Sequence, residues 1–231
     1  MGLPIQSTPT YKCVLPNSGK EVEYRPFLVK EQKILTIARE SEDQKIIFDA
    51  IKRLIESVTD NKVSVDELAM IDLEYLFLKI RTVSVGESST VKVGCDDNKC
   101  NGTVTLSVNL EEIDVVGGNT ENKIMITDTV GVILKSPTVK SMSDIENAED
   151  NVVEILKSCI ETIFDEENVY EASETSSSDL NDFVESLTFG QLALVSDWFE
   201  DLPKLSKDVS GTCGVCNKEV SKRLEGLQSF F

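Results

Sequence analysis

Cys95-Asp96-Asp97-Asn98-Lys99-Cys100 lies between two runs of period two, Ser89-Thr90-Val91-Lys92-Val93 and Thr103-Val104-Thr105-Leu106-Ser107-Val108. The alternation predicts two strands joined by a cysteine-bearing turn. A second tight pair, Cys213-Gly214-Val215-Cys216, recurs near the end of the chain, again beside β-like sequence. The spacings are C-x4-C and C-x2-C. Turns of this length place two thiolates on one side of an ion, and tetrahedral zinc takes four soft ligands at about 2.3 Å. Two such turns facing each other predict a four-cysteine, zinc-ribbon-like β element, with zinc as cofactor and Cys95, Cys100, Cys213 and Cys216 as ligands. Four thiolates leave no open coordination position, so the metal is expected to be structural, closing a long loop and pinning the chain end.

The usual second knuckle follows the first after about 15–20 residues. Here 112 residues lie between Cys100 and Cys213, so the ribbon would be split around an inserted region. Reduced, metal-free cysteines are the main alternative. Disulfides fit a cytoplasm poorly, and a thioredoxin-type role for Cys213 and Cys216 lacks its βαβ context. Cys13 and Cys159 read as small hydrophobes.

Outward from the knuckles, residues 1–29 contain Pro4, Pro9, Pro16, Gly19 and Pro26 and read as arms and turns, with Leu15 to Lys20 turning between two short β-like runs. Helical spacing follows in Ile34, Leu35, Ile37 and Ala38, then in Ile46, Ile47, Ala50, Ile51, Leu54 and Ile55, with Ser41-Glu42-Asp43 as stop and cap. Ser64 and Glu67 form a capping box for a third helix ending before Gly86. Beyond the first strand pair, Lys123–Ile126 and Gly131–Leu134 predict a hairpin, and Ile145–Phe164 a helix. Residues 165–178 predict a mobile acidic loop. Asp179 is expected to cap a short helix, and Thr188 with Gln191 to box another ending near Pro203. The expected fold is α+β in three parts. These are an N-terminal arm and helical region (1–86), the split ribbon (87–115 with 205–231), and an inserted hairpin and acidic helical region (116–204).

Composition narrows the function. The 231 residues include 41 Asp+Glu, 23 Lys+Arg and no His, for a net charge of −18. Absent histidine removes Ser-His-Asp and Cys-His catalysis, His-liganded metals and an imidazole proton shuttle. No P-loop or dinucleotide fingerprint appears, and no acid pair stands out for glycosidase chemistry. Residues 141–202 carry 17 acids and one base, Lys157, whereas 203–231 carry five bases and three acids. That block is either a solvated helical surface or one that steers a basic partner. The total charge opposes nucleic-acid binding, although a zinc-ribbon nucleic-acid or transcription factor using Lys218, Lys222 and Arg223 is the rival reading. No run reaches the ~20 apolar residues of a membrane span, and the start lacks signal-peptide features, so no stable membrane insertion and a cytoplasmic location are expected.

Longer strings carry a resemblance. Leu15-Pro16-Asn17-Ser18-Gly19-Lys20, Tyr24-Arg25-Pro26-Phe27-Leu28-Val29-Lys30-Glu31 and Ala38-Arg39-Glu40-Ser41 belong to it, as do Asp72-Leu73-Glu74-Tyr75-Leu76-Phe77, Ser84-Val85-Gly86-Glu87, both knuckles and Gly226-Leu227-Gln228-Ser229-Phe230-Phe231. Together they resemble the small baseplate hub assembly proteins of T-even-like contractile-tailed phages. The resemblance covers the first ~100 residues well and the last ~20 fairly well. It implies a non-enzymatic phage protein, an assembly factor or minor hub subunit, made in an infected bacterium and contacting hub or tape-measure proteins, with the virion baseplate as a further location. Homo- or hetero-oligomers are compatible with it.

Within this reading Arg25, Pro26 and Phe27 are candidates for partner binding, the alternative being a strand-to-helix corner with Phe27 in the core. Phe230 and Phe231 are a second candidate, either docked on the protein itself or inserted into a partner.

Overall fold

Leu15 to Lys20 forms a tight turn, with Leu15 N–H donating to the Lys20 carbonyl at 2.9 Å. It joins β1 (Tyr11–Val14) to β2 (Glu21–Tyr24) as an antiparallel pair. These and all later details come from a computed structural model, described over residues 7–41, 43–97, 99–118, 121–144 and 152–230. The fold is mixed α+β, with N-terminal helices, several small sheets and a four-cysteine cluster.

The chain divides into two units. The first comprises Met1–Val65, Ile71–Val116 and Lys204–Phe231, and the second comprises Asp66–Met70 and Gly117–Pro203. In the first, α1 (Val29–Glu40) and α2 (Gln44–Val58) form a helical hairpin, and Asp43 caps α2 by accepting from the N–H groups of Lys45 and Ile46. The third helix, α3 (Met70–Val85), buries Leu73, Leu76, Leu78 and Ile80. Its Asp72, fully buried, accepts from Asn17 N–H (2.8 Å) and Ser18 N–H (3.1 Å). A carboxylate that would be costly alone is thus satisfied by the donors of the β1–β2 turn.

Residues around the first knuckle alternate as expected. β3 (Ser88–Gly94) pairs with β4 (Thr103–Asn109), and β4 buries Val104, Leu106 and Val108 on one face. β5 (Asp114–Val116) pairs with β10 (Lys204–Thr212), which pairs in turn with β11 (Glu219–Glu225). β10 packs closely on β4. A Cβ on Gly211 would lie 2.5 Å from Leu106 Cδ2 and 3.1 Å from Val104 Cγ1, so this crossing needs glycine.

The second unit holds a sheet in the order β6-β7-β8-β9, all antiparallel, from β6 (Lys123–Met125), β7 (Gly131–Leu134), β8 (Ile160–Phe164) and β9 (Val169–Glu171). α4 (Val139–Asp144) and α5 (Val152–Cys159) precede β8, and α6 (Ser177–Glu185) and α7 (Phe189–Glu200) follow β9. Val132, Leu134, Leu156, Ile160, Val184, Val195 and Trp198 make the core.

Four local expectations are corrected. The helix predicted to run through Phe164 ends at Cys159, and Ile160–Phe164 becomes β8. Its Ile, Thr and Ile favour extended backbone, and β7 supplies a ladder. The first third of that predicted helix, 145–151, lies outside the described residues. The Ser64–Glu67 box does not open α3. Val65–Glu67 is a 3-10 turn, and the backbone of 68–70 bonds to 137–139 through Met70 N–H to Pro137 and Val139 N–H to Leu68. Within the expected loop 165–178, β9 forms the sheet edge, and Asp165 accepts from the N–H groups of Glu167 and Asn168. Ser176, not Asp179, caps α6, accepting from Asp179 N–H. The Thr188–Gln191 box opens α7 as the sequence predicts.

Candidate metal centre

Both knuckles are hairpin turns. Cys95 leaves β3 and its N–H donates to the Gly102 carbonyl at 2.9 Å, while Cys213 leaves β10 and donates to the Lys218 carbonyl at 2.9 Å. The paired strands behind each turn set where its thiols point. Cys95 Sγ lies 3.6 Å from Cys216 Sγ, and Cys100 Sγ lies 3.7 Å from Cys213 Sγ. All four sulfurs fall within 4.8 Å of one another. Four sulfurs at 2.3 Å from a tetrahedral centre would be about 3.8 Å apart. A disulfide requires about 2.05 Å, and all six cysteines are free. The geometry is that of a four-thiolate ligand set.

The cluster sits in its own apolar layer of Val93, Val104, Leu106, Val209 and Val220. Backbone N–H groups of Cys216 and Val215 aim at Cys213 Sγ and bring its thiol down to about 6. The N–H of Asp97 favours a thiolate at Cys95, but burial and the neighbouring thiols outweigh it and push that thiol up to about 12. A cation among the sulfurs would favour the thiolate form of the cluster. Gly102 leaves room for them: a Cβ there would lie 2.7 Å from Cys213 Sγ and 3.1 Å from Cys100 Sγ. Cys13 and Cys159 behave differently. Burial pushes both thiols up to about 11; Cys159 is a core residue, whereas Cys13 is half-buried on β1.

Carboxylates on the first knuckle meet cations on the second hairpin. Lys218 Nζ lies 2.6 Å from Asp97, and Lys222 is paired with Asp96. In the net-basic segment 203–231, Lys204 and Arg223 also pair with Glu225 (3.1 and 3.2 Å), and Lys207 pairs with Glu112 (3.0 Å). All five bases of 203–231 therefore have carboxylate partners. Nothing in the sequence separated these roles, because Asp96 and Lys222 are 126 positions apart.

A family model described as T4 bacteriophage base plate protein matches residues 8–231. The chain belongs to this family. No curated protein and no solved structure matches it. As a member of this family it has a non-enzymatic, base plate-associated role.

In this base plate protein the residues Arg25, Pro26 and Phe27 form a strand-to-helix corner. Phe27 is buried, and its N–H donates to Ser84 Oγ at 2.9 Å. Arg25 Nη2 donates to Glu31 Oε1 (3.0 Å) and to the Ser57 hydroxyl (3.2 Å) and carbonyl (3.3 Å). Glu31 is itself buried, and its other oxygen accepts from Leu28 N–H at 2.7 Å. The trio is thus turned inward, instead of being an exposed arm. At the chain end, Leu227–Phe230 is a 3-10 turn. The Phe230 side chain and Phe231 lie outside the described residues. In the acidic block, Lys157 is held by Glu154 at 2.9 Å, while Glu166, Glu167, Glu171, Glu174, Asp182 and Glu185 are exposed.

Proposed function

We propose that this base plate protein is an assembly factor or minor subunit of the base plate hub, acting through protein–protein contacts in the cytoplasm of the infected host. The observation that carries the reading is the family match across 8–231, nearly the whole chain. Its partners are hub or tape-measure components. Cys95, Cys100, Cys213 and Cys216 hold a structural zinc, which joins two hairpins separated by more than a hundred residues and supplies rigidity where the local core is small. The nucleic-acid alternative loses support from the five paired bases of 203–231, because phosphate binding draws on cations free to displace counterions.

Quantitative mass spectrometry of purified particles beside lysate from the same infection tests the role. Abundance in lysate with absence from particles identifies a transient factor. A fixed small copy number per tail identifies a hub subunit. Normal base plates from phage lacking this protein would refute both. Elemental analysis of chelator-free protein is expected to give one zinc per chain, and DNA retention at low salt would revive the alternative.

A further inference from the structure

Helix α1 leaves unpartnered much of the apolar stripe that its sequence encodes. Among its residues only Glu31 and Ala38 are buried, whereas Val29 is 69% exposed, Ile34 52% and Ile37 68%. Ile46, at the start of α2, is exposed too. A helix normally buries such a stripe against its own core. Between α1 and α2 runs a groove of about 200 Å³ lined by the buried Ala50 and Leu54 and by the exposed Ile34, Lys30 and Arg53. Small-molecule sites span about 300–1,000 Å³, so this groove suits side-chain knobs better than a cofactor. The one carboxylate lining it, Glu31, is shared between Arg25 at 3.0 Å and Lys30 at 3.6 Å, so a single acid stands against the three cations Arg25, Lys30 and Arg53.

We propose that the α1–α2 face docks an amphipathic helix of another base plate component, with apolar anchors in the groove and carboxylates beside Lys30 and Arg53. Charge selects this occupant. Apolar knobs alone would fit many helices, but cations flanking an apolar floor favour an acidic one and repel a basic one. The inference rests on the assembly reading above and names the surface through which it works.

Site-specific photocrosslinking in infected cells tests it, using phage lacking the gene product complemented by the full chain with benzoylphenylalanine at position 34 or 37. The expected product is a crosslink to one peptide of another base plate protein, with apolar residues at i, i+3 or i+4 and Asp or Glu beside them. Lys30→Glu with Arg53→Glu should reduce that crosslink at least tenfold. Ile34→Asp with Ile37→Asp should abolish complementation while secondary structure and metal content stay unchanged. Crosslinking to a second copy of this chain, to a basic helix, or to nothing would overturn the docking proposal. So would full complementation by the Asp variants. In each case the assembly reading survives if phage lacking the protein still fail to build base plates.

Discussion

At the scale of single residues, glycine at 102 is a steric requirement of the cysteine cluster. Gly102→Ala puts a methyl carbon 2.7 Å from Cys213 Sγ, and overpacking of this kind costs about 1–3 kcal/mol. A lower melting temperature and a reduced metal-to-protein ratio are expected. Gly214→Ala, whose new carbon meets nothing within 4 Å, should change stability by less than about 0.5 kcal/mol. Arg25 and Glu31 make a second residue-level case. Removing Arg25 takes away the closest cation of a buried carboxylate that keeps Lys30 at 3.6 Å, the Ser57 hydroxyl and Leu28 N–H, so Arg25→Ala should cost about 1.5–3 kcal/mol in denaturant unfolding, and Arg25→Met with Glu31→Gln should recover most of it. Burial alone would raise the Glu31 carboxyl, but Arg25, Leu28 N–H and Ser57 together hold it below the usual range. Its contribution is therefore complete above the unfolded value of about 4.3 and is lost as pH falls through the lower folded value. Glu31→Gln should flatten the acid limb of the stability curve. Neither the Arg25–Glu31 pair nor the Asp72 contacts with Asn17 and Ser18 had a local signature: the first pair meets only once strand and helix have turned a corner, and the second joins segments more than fifty positions apart.

At the scale of elements, most of what depends on neighbours in sequence was legible, although the cap of α6 falls on Ser176 and not on Asp179. Period-two runs became β3 and β4, Asp43 capped α2, and Thr188 with Gln191 boxed α7. Thr188→Ala should cost about 1 kcal/mol by thermal unfolding, because the N–H of Gln191 loses its acceptor. Gln191→Ala should show a comparable loss, since Gln191 both accepts from Thr188 N–H at 2.9 Å and donates to the Ile126 carbonyl at 3.2 Å. Legibility failed where a distant partner overrode local preference. Ile160, Ile163 and Phe164 satisfy a helical spacing, whereas Ile160, Thr162 and Phe164 satisfy an alternating one, and the ladder with β7 decides between them. Likewise, Ser64 and Glu67 form an acceptable local cap. The backbone just beyond them bonds instead to residues 137–139, about seventy positions away. The apolar stripe of α1 is plain in the sequence, yet periodicity cannot say whether its partner lies in the same chain.

At the scale of the whole molecule, connectivity decides how metal removal should spread. The stretch 117–203 leaves after β5 and returns at β10, where Val116 and Lys204 are paired residues. The second unit thus has closely spaced chain ends and its own apolar core around Val132, Leu134, Leu156 and Trp198. The cysteine-bearing hairpins rest on a much smaller layer, four buried residues with their partly buried neighbours. A layer of that size stabilises two hairpins poorly, whereas structural zinc contributes on the order of 10 kcal/mol. Removing metal at neutral pH with a strong chelator should therefore be a local event before it is a global one. In hydrogen exchange, amides of β3, β4, β10 and β11 should lose protection, while β7, β8 and α7 keep theirs. Adding zinc back should restore the slow amides with a stoichiometry of one per chain. Cys213→Ser with Cys216→Ser should reproduce the chelated pattern without chelator, because Cys100 and Cys95 lose the sulfurs 3.7 and 3.6 Å away. Unchanged protection after chelation would mean that the four thiols hold the hairpins without an ion. Simultaneous loss in both units would mean that the stretch 117–203 depends on the metal centre for its own fold, despite its separate core.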